Sequence, residues 1–231
     1  MDLKMNKCDC ALCEFRTIVF EDLSSNEIYS VCGYKTEKNY KKGDVIIREG
    51  SQINDFLYLK SGLVKLYKLS KDGKDQIISI AKPLDFVSLV SIFSDKTYNF
   101  SISAIEDSTV CSVDLKFIKE LISKNGNFAL NIMQKMSRNF DNIINNTFNL
   151  QKKHLRGRIA HILLFFANEI YKNNEFELPL SRKEIAQLID MTTENVIRIL
   201  SEFRQDKLIE IHGKNTIIIN LNKLNSIAEH G

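Results

Sequence analysis

Between Lys38 and Val113, hydrophobic positions come in short runs rich in β-branched and aromatic residues. These are residues 45–49 (VIIRE), 56–60 (FLYLK), 63–69 (LVKLYKL), 76–80 (QIISI), 100–105 (FSISAI) and 109–113 (TVCSV). Turn formers separate them at Lys42-Gly43-Asp44, Glu49-Gly50, Ser61-Gly62, Asp72-Gly73 and Pro83. Many short strands at regular spacing predict an antiparallel barrel or sandwich. Ahead of them, Phe20 to Val31 predicts a short helix capped near Ser24 or Ser25, with Glu27 following.

After Asp114 the apolar period becomes helical. Lys116 to Ile122 predicts a short helix, ended by Lys124-Asn125-Gly126-Asn127. A long helix follows from about Phe128. Its apolar positions Met133, Met136, Phe140, Ile143, Thr147 and Leu150 alternate steps of three and four, the spacing of a coiled-coil seam. Such a stripe can pack on its own domain. Here it bridges two domains that each look complete, which favours a symmetric dimer. A further helix is expected from about Leu155 to Asn173 on Ile159, Ile162, Leu163, Phe166 and Ile170, then a short strand from Phe176 to Leu180.

The segment from Ser181 to Phe203 reads as two short helices and a tight turn. Ser181 with Glu184 forms a capping box, and Ile185, Leu188 and Ile189 make one apolar face. Asp190-Met191 breaks the period and Thr192 is placed to cap the second helix. There Val196, Ile199, Leu200 and Phe203 fall at i, i+3, i+4 and i+7, which leaves Thr193, Glu194, Ile197, Arg198 and Ser201 outside. Those side chains suit base edges: Arg for guanine, Glu for the amino group of cytosine, an apolar group for the methyl of thymine. The alternative is a solvated face on which Glu194 and Arg198 form an i,i+4 ion pair. Beyond it, Leu208–Ile211 and Thr216–Ile219 flank His212-Gly213-Lys214-Asn215 as a hairpin, with Lys214 placed to touch phosphate. Residues 222–231 read as a short closing tail.

The Glu-x-x-x-Arg of Glu194 and Arg198, the run from Phe203 to Ile209, the Gly-Lys hairpin and the β-rich tail together resemble the Crp/Fnr family of bacterial transcription regulators. The resemblance implies that Glu194 and Arg198 contact bases. It implies an α+β chain, with an N-terminal cyclic-nucleotide-binding-like antiparallel β-roll, a long dimerisation helix and a C-terminal winged helix-turn-helix. Its expected parts are a cysteine-containing arm (1–19), the β-roll sensor (20–113), the dimerisation helix region (114–150) and the DNA-binding domain (151–231). Palindromic double-stranded DNA, a second copy of the chain and RNA polymerase are the implied partners. The cyclic-AMP branch carries an Arg just before the Glu, where this chain has Thr193.

The spacing of Gly43, Gly50, Gly62 and Gly73 is similar to the family's roll, with Asp85-Phe86 at the start of its phosphate-binding cassette. Nucleotide binders follow that Phe with Gly-Glu and later supply an Arg. This chain continues Val87-Ser88-Leu89-Val90-Ser91, and no Arg or Lys lies between Tyr98 and Val113. A buried phosphate without a cation is poorly compensated, so cyclic AMP is not the expected effector.

The chain has 231 residues, 26% charged and 44% apolar, ordinary values for a globular protein. A net charge of +3 excludes a histone-like binder and confines any nucleic-acid site to a local patch. Lys152, Lys153, Arg156 and Arg158 crowd together without an intervening acid, and Arg182 and Lys183 open the first short helix. Lys153 and Arg182 are the candidate phosphate contacts there; a solvated helix face is the plainer account of such a run. No membrane-length apolar run or apolar signal core occurs, so a cytoplasmic location is expected. An enzyme is not expected either, since there is no phosphate-binding Gly loop, HExxH or serine elbow.

Five cysteines in a reducing compartment suggest thiols, a metal or a redox sensor. Cys8, Cys10 and Cys13 cluster near the start, and Cys111 ends the predicted barrel. The family's oxygen-sensing branch looks similar, and by that resemblance these four would hold a [4Fe–4S] cluster. Zinc, a thiol switch and an unidentified small ligand stay open as the input. Cys111 is equally an ordinary strand thiol. A rival to the regulator is a protein-interaction module with a degenerate DNA-binding domain.

Overall fold

The structure, a computed structural model, describes Cys13, residues 20–70, 75–83, Asp85 and 91–231; for residues 146, 147 and 149–151 it describes the backbone alone. The chain forms two compact units, residues 1–69 with 78–142 and residues 70–77 with 143–231.

The first unit opens with α1 (Ser25–Tyr34), started by a capping box. The Ser24 hydroxyl accepts from the Glu27 amide, and the Glu27 carboxylate accepts from the Ser24 amide. Its inner face is Ile28 and Val31. Among the described residues seven strands follow: β1 (Lys35–Tyr40), β2 (Val45–Ile47), β3 (Asp55–Ser61), β4 (Val64–Lys68), β5 (Gln76–Ala81), β6 (Ser101–Ala104) and β7 (Ser108–Asp114). They make two sheets of orders β1-β7-β3 and β2-β6-β4-β5. The β3–β4 turn needs Gly62: its φ is 85°, and a Cβ there would lie 2.3 Å from Ser108 Oγ.

Strand β1, Lys-Thr-Glu-Lys-Asn-Tyr, is polar and falls outside the hydrophobic runs. It forms because the central strand β7 pairs with it along its whole length, from Lys35 opposite Val113 to Tyr40 opposite Ser108. An edge strand half in water tolerates such a sequence. Phe56, Leu59, Ile102 and Val113 belong to one core and are all out of solvent.

Helix α2 (Leu115–Lys124) is capped by the Asp114 carboxylate and buries Leu115, Ile118 and Leu121. Helix α3 (Gly126–Lys152) then sends Phe128 and Ile132 into the same core, Phe128 stacking on Phe20 at 6.1 Å. Fully burying one such side chain stabilises by about 1.5–3 kcal/mol.

In the second unit α4 (Leu155–Leu164) runs directly into a π-helix (Phe165–Tyr171), where a continuous α-helix is the sequence expectation. The wider turn fits an aromatic stack: Tyr171 lies 5.4 Å from Phe176, nearly parallel, and Phe166 6.3 Å from Phe176. Lys172, left-handed at φ 50°, closes it. Then come β8 (Glu175–Glu177), α5 (Arg182–Leu188), α6 (Thr193–Gln205), β9 (Ile209–His212), β10 (Asn215–Ile218) and α7 (Leu221–His230). The strands form one antiparallel sheet of order β8-β10-β9.

The expected closing tail is therefore a helix. The Asn220 side chain caps α7, and its Leu224 and Ala228 are buried. Its end docks at the start of α4, where the His154 amide donates to the Gly231 carbonyl at 2.9 Å. Among the described residues no helix is long and apolar enough to cross a membrane.

Candidate nucleic-acid interface

The helix pair of the second unit follows from its caps and its apolar period. Ser181 and Glu184 make the reciprocal cap of α5, while Ile185, Ala186 and Ile189 are buried. The helix stops because Asp190 turns left-handed at φ 52° and the Met191 amide returns to the Ala186 carbonyl. Thr192 then accepts the Asn195 amide through its hydroxyl and starts α6. On α6, Val196, Ile199, Leu200 and Phe203 are at most 3% exposed. Glu194, Ile197, Arg198 and Ser201 stand in solvent and Thr193 is half-buried; Ile197 is 51% exposed.

The outer face is ordered by its own bonds. Glu194 is held below the usual carboxylate range by its own backbone amide and the Thr192 hydroxyl. Arg198 reaches forward instead of pairing with Glu194: Nη1 donates to the Glu202 carboxylate, and Nη2 lies 3.4 Å from Asn195 Oδ1. Ser201 donates its hydroxyl to the Ile197 carbonyl at 3.0 Å.

Three cations of the basic run from Lys152 to Arg158 have internal partners. Lys153 donates to the Ala228 carbonyl in the last turn of α7. Arg156 binds both Glu202 and, at 2.8 Å, Asp206, with its guanidinium 4.9 Å from the ring centroid of Phe203. Arg158 donates to the Ile189 carbonyl at 3.1 Å and the Asp190 carbonyl at 3.3 Å, clasping the turn between α5 and α6. A run that suggests a phosphate patch thus works, in these three residues, to hold the helices in place. Glu202 stands one turn beyond Arg198, visible as a spacing, whereas its bond to Arg156 joins positions far apart in the chain.

Arg182, half-buried in the first turn of α5, has its pKa lowered by burial. Lys214 is exposed in the β9–β10 turn, where Gly213 takes φ 66°. His212 ends β9 with Nε2 3.4 Å from Glu210. An open groove of about 520 Å³ runs between the end of α6 and β9, with Ser201, Arg204 and His212 on its walls.

Of the positions expected to form a coiled-coil seam, Met133 and Phe140 are 56% and 48% exposed, and Ile143 is half-buried. Met136 is half-buried against the core of the first unit. The side chains of Thr147 and Leu150 lie outside the described residues. Leu130, Ile144 and Phe148 are also exposed, so the solvent-facing apolar stripe is turned partly away from the positions the sequence suggests.

Cys8 and Cys10 lie outside the described residues. Cys13 is half-buried and packs against the core that contains Cys111. Cys111, in the middle of β7 between Glu37 and Tyr58, is fully buried; its thiol donates toward Glu37 at 3.7 Å, and burial pushes its pKa up to about 11. Lys35 and Lys60 both bind that same Glu37. Among the described residues no three His, Cys, Asp or Glu side chains come together as a metal site. Of the four cysteines expected as cluster ligands, Cys13 and Cys111 are described, and both belong to this one core.

Phe86 to Val90 of the cassette likewise lie outside the described residues. Asp85 keeps its carboxylate on the Lys82 amide at 2.9 Å. Tyr98, which with Asn99 is where the resemblance puts the family's arginine, is buried, which pushes its phenol up to about 12.

Residues 37–125 match the cyclic nucleotide-binding domain, and residues 157–227 the Crp-like helix-turn-helix domain. Electron transport regulator A of Shewanella oneidensis is 26% identical over 225 residues, covering 95% of this chain and 90% of that protein. Transcriptional activator protein anr of Pseudomonas aeruginosa is 28% identical over 228 residues, covering 95% and 91%. FixK2 from Bradyrhizobium japonicum has the same fold, with a TM-score of 0.75 at 23% identity over 84% of this chain and 96% of that one. These relatives are regulators and not enzymes. With its β-rich domain, long helix and helix-turn-helix domain, the chain belongs to the Crp/Fnr family of transcription regulators.

Proposed function

We propose that the chain acts as a homodimer that reads a palindromic DNA site with α6, under the control of a signal received by the first unit or its cysteine arm. One observation carries it. A helix whose inner face is fully buried presents Glu194, Ile197, Arg198 and Ser201 outward together, with Ile197 half in water. Left in solvent, Ile197 has no packing role; against a thymine methyl it has one. Arg198 takes guanine, Glu194 the amino group of cytosine, and Thr193 and Ser201 flank them. Arg182 and Lys214 reach phosphates on either side. Lys153, whose ammonium is bound to Ala228, is assigned to docking α7 instead.

The stripe of Met133, Phe140, Ile144 and Phe148 on α3 is the dimer seam. Two copies paired along it would bring two recognition helices to half-sites about one DNA turn apart. A signal acts by favouring one helix packing over another, so it must bind one arrangement better. The name of the Shewanella relative supports a redox input. The absence of Arg and Lys between Tyr98 and Val113 speaks against cyclic AMP. RNA polymerase is the expected partner at an activated promoter, in the cytoplasm.

Selection from a pool of random duplexes tests the proposal. A two-fold symmetric site should emerge, with affinity that falls steeply with salt. Failure to enrich any sequence, or binding indifferent to salt, would favour the protein-interaction module.

A further inference from the structure

The recognition arginine is tied to a residue with no place in the base-reading set. Glu202 gives one carboxylate oxygen to Arg198 and the other to Arg156 of α4. Arg156 is itself fixed by Asp206 and by the ring of Phe203. Asn195 holds the second terminal nitrogen of Arg198 from the opposite side, at 3.4 Å.

We propose that Glu202, anchored by Arg156, is a positioning residue for Arg198 and so helps determine which base pair α6 selects. The inference rests on Arg198 being a base-reading residue. A free arginine has many rotamers and attaches readily to any phosphate within reach. Ordering it before the duplex arrives removes part of that cost and favours the base edge over the backbone. The Glu202 charge also repels phosphates, which penalises non-specific registers more than the aligned one. Arg156 makes the difference between this carboxylate and an ordinary surface pair, because an exposed i,i+4 pair alone orients its partner weakly. Here the acid is fixed from the neighbouring helix.

The test compares Glu202→Gln, Arg156→Ala and Asp206→Asn with the parent in the full chain, by binding to duplexes varied one base pair at a time. Glu202→Gln and Arg156→Ala should each lower discrimination at the base pair read by Arg198 by about threefold, the scale of a reinforced helix ion pair. Discrimination elsewhere should hold, and affinity for unrelated duplex should rise in Glu202→Gln. Asp206→Asn loosens the same inter-helix clasp without touching Glu202. It should lower the unfolding midpoint and reduce discrimination less than Arg156→Ala does, because Arg156 keeps Glu202 and the ring of Phe203.

An unchanged profile in Glu202→Gln would overturn the proposal. So would a uniform loss at every position, or a matching loss in Asp206→Asn, since either marks a structural role alone. The position read by Arg198 is defined by Arg198→Ala in the same assay. If that variant changes no preference, the base-reading assignment fails first and the positioning role falls with it.

Discussion

Arg198 and Glu202 form an ion pair along the exposed face of α6, one turn apart, and the alternative pairing of Arg198 with Glu194 is not made. The direction matters. Because the guanidinium leans toward the C-terminal end, the Glu194 carboxylate stays at the N-terminal end with Thr192, where helix amides favour a negative charge. The two base-reading candidates are thereby separated along the helix rather than neutralising each other.

Gly157→Ala should destabilise the DNA-binding unit although alanine is the better helix former. The propensity gain is about 1 kcal/mol. Against it, the new Cβ would stand 2.3 Å from the Gly231 carbonyl oxygen and 2.8 Å from its carbon, a backbone collision that α7 must move to relieve. Overpacking of this kind costs about 1–3 kcal/mol. A lowered midpoint in thermal or denaturant unfolding is expected; an unchanged or raised one would mean that α7 does not dock here.

Phe140→Asp and Ile144→Asp should convert the dimer to monomers, read by sedimentation at micromolar protein. Both side chains are about half exposed in the single chain, so folding should survive. Affinity for a full palindrome should then fall toward that for a half-site. Dimers persisting in both variants would remove the stripe from the interface.

The Cys111 thiol gives an alkaline signature. Its pKa is raised from 9.0 to about 11 by burial, so the folded state keeps a proton that the unfolded chain releases. The stabilisation this burial provides is complete below about pH 9 and is lost as pH rises toward 11. Comparing the parent with Cys111→Ala across that window should show the parent losing more stability with pH. Tyr98, raised to about 12 for the same reason, contributes to both proteins and cancels in the difference. Equal slopes would show that Cys111 is not held as a buried neutral thiol.

Where a local rule decides the structure, the sequence was readable. Ser24 with Glu27 and Ser181 with Glu184 form the capping boxes their spacing suggests, and the i, i+3, i+4, i+7 set on α6 is the buried face. Elements decided by a distant partner were not. Strand β1 exists because β7 offers it a pairing edge, and α7 was missed because its polar sequence shows only a thin apolar face. The site behaves alike. Which residues of α6 face outward follows from periodicity, yet the engagement of Lys153, Arg156 and Arg158 depends on Ala228, Glu202, Asp206 and Ile189. Charge density announces a binding patch only when the charges lack partners in the fold.

The proposed base reading by α6 depends most directly on Arg198. Its replacement by alanine should weaken binding to the selected palindrome by roughly 1–3 kcal/mol and relax base choice at one position in each half-site, with unrelated duplexes affected little. A variant that bound the same sequences with unchanged affinity and preference would show that α6 does not read DNA through this face.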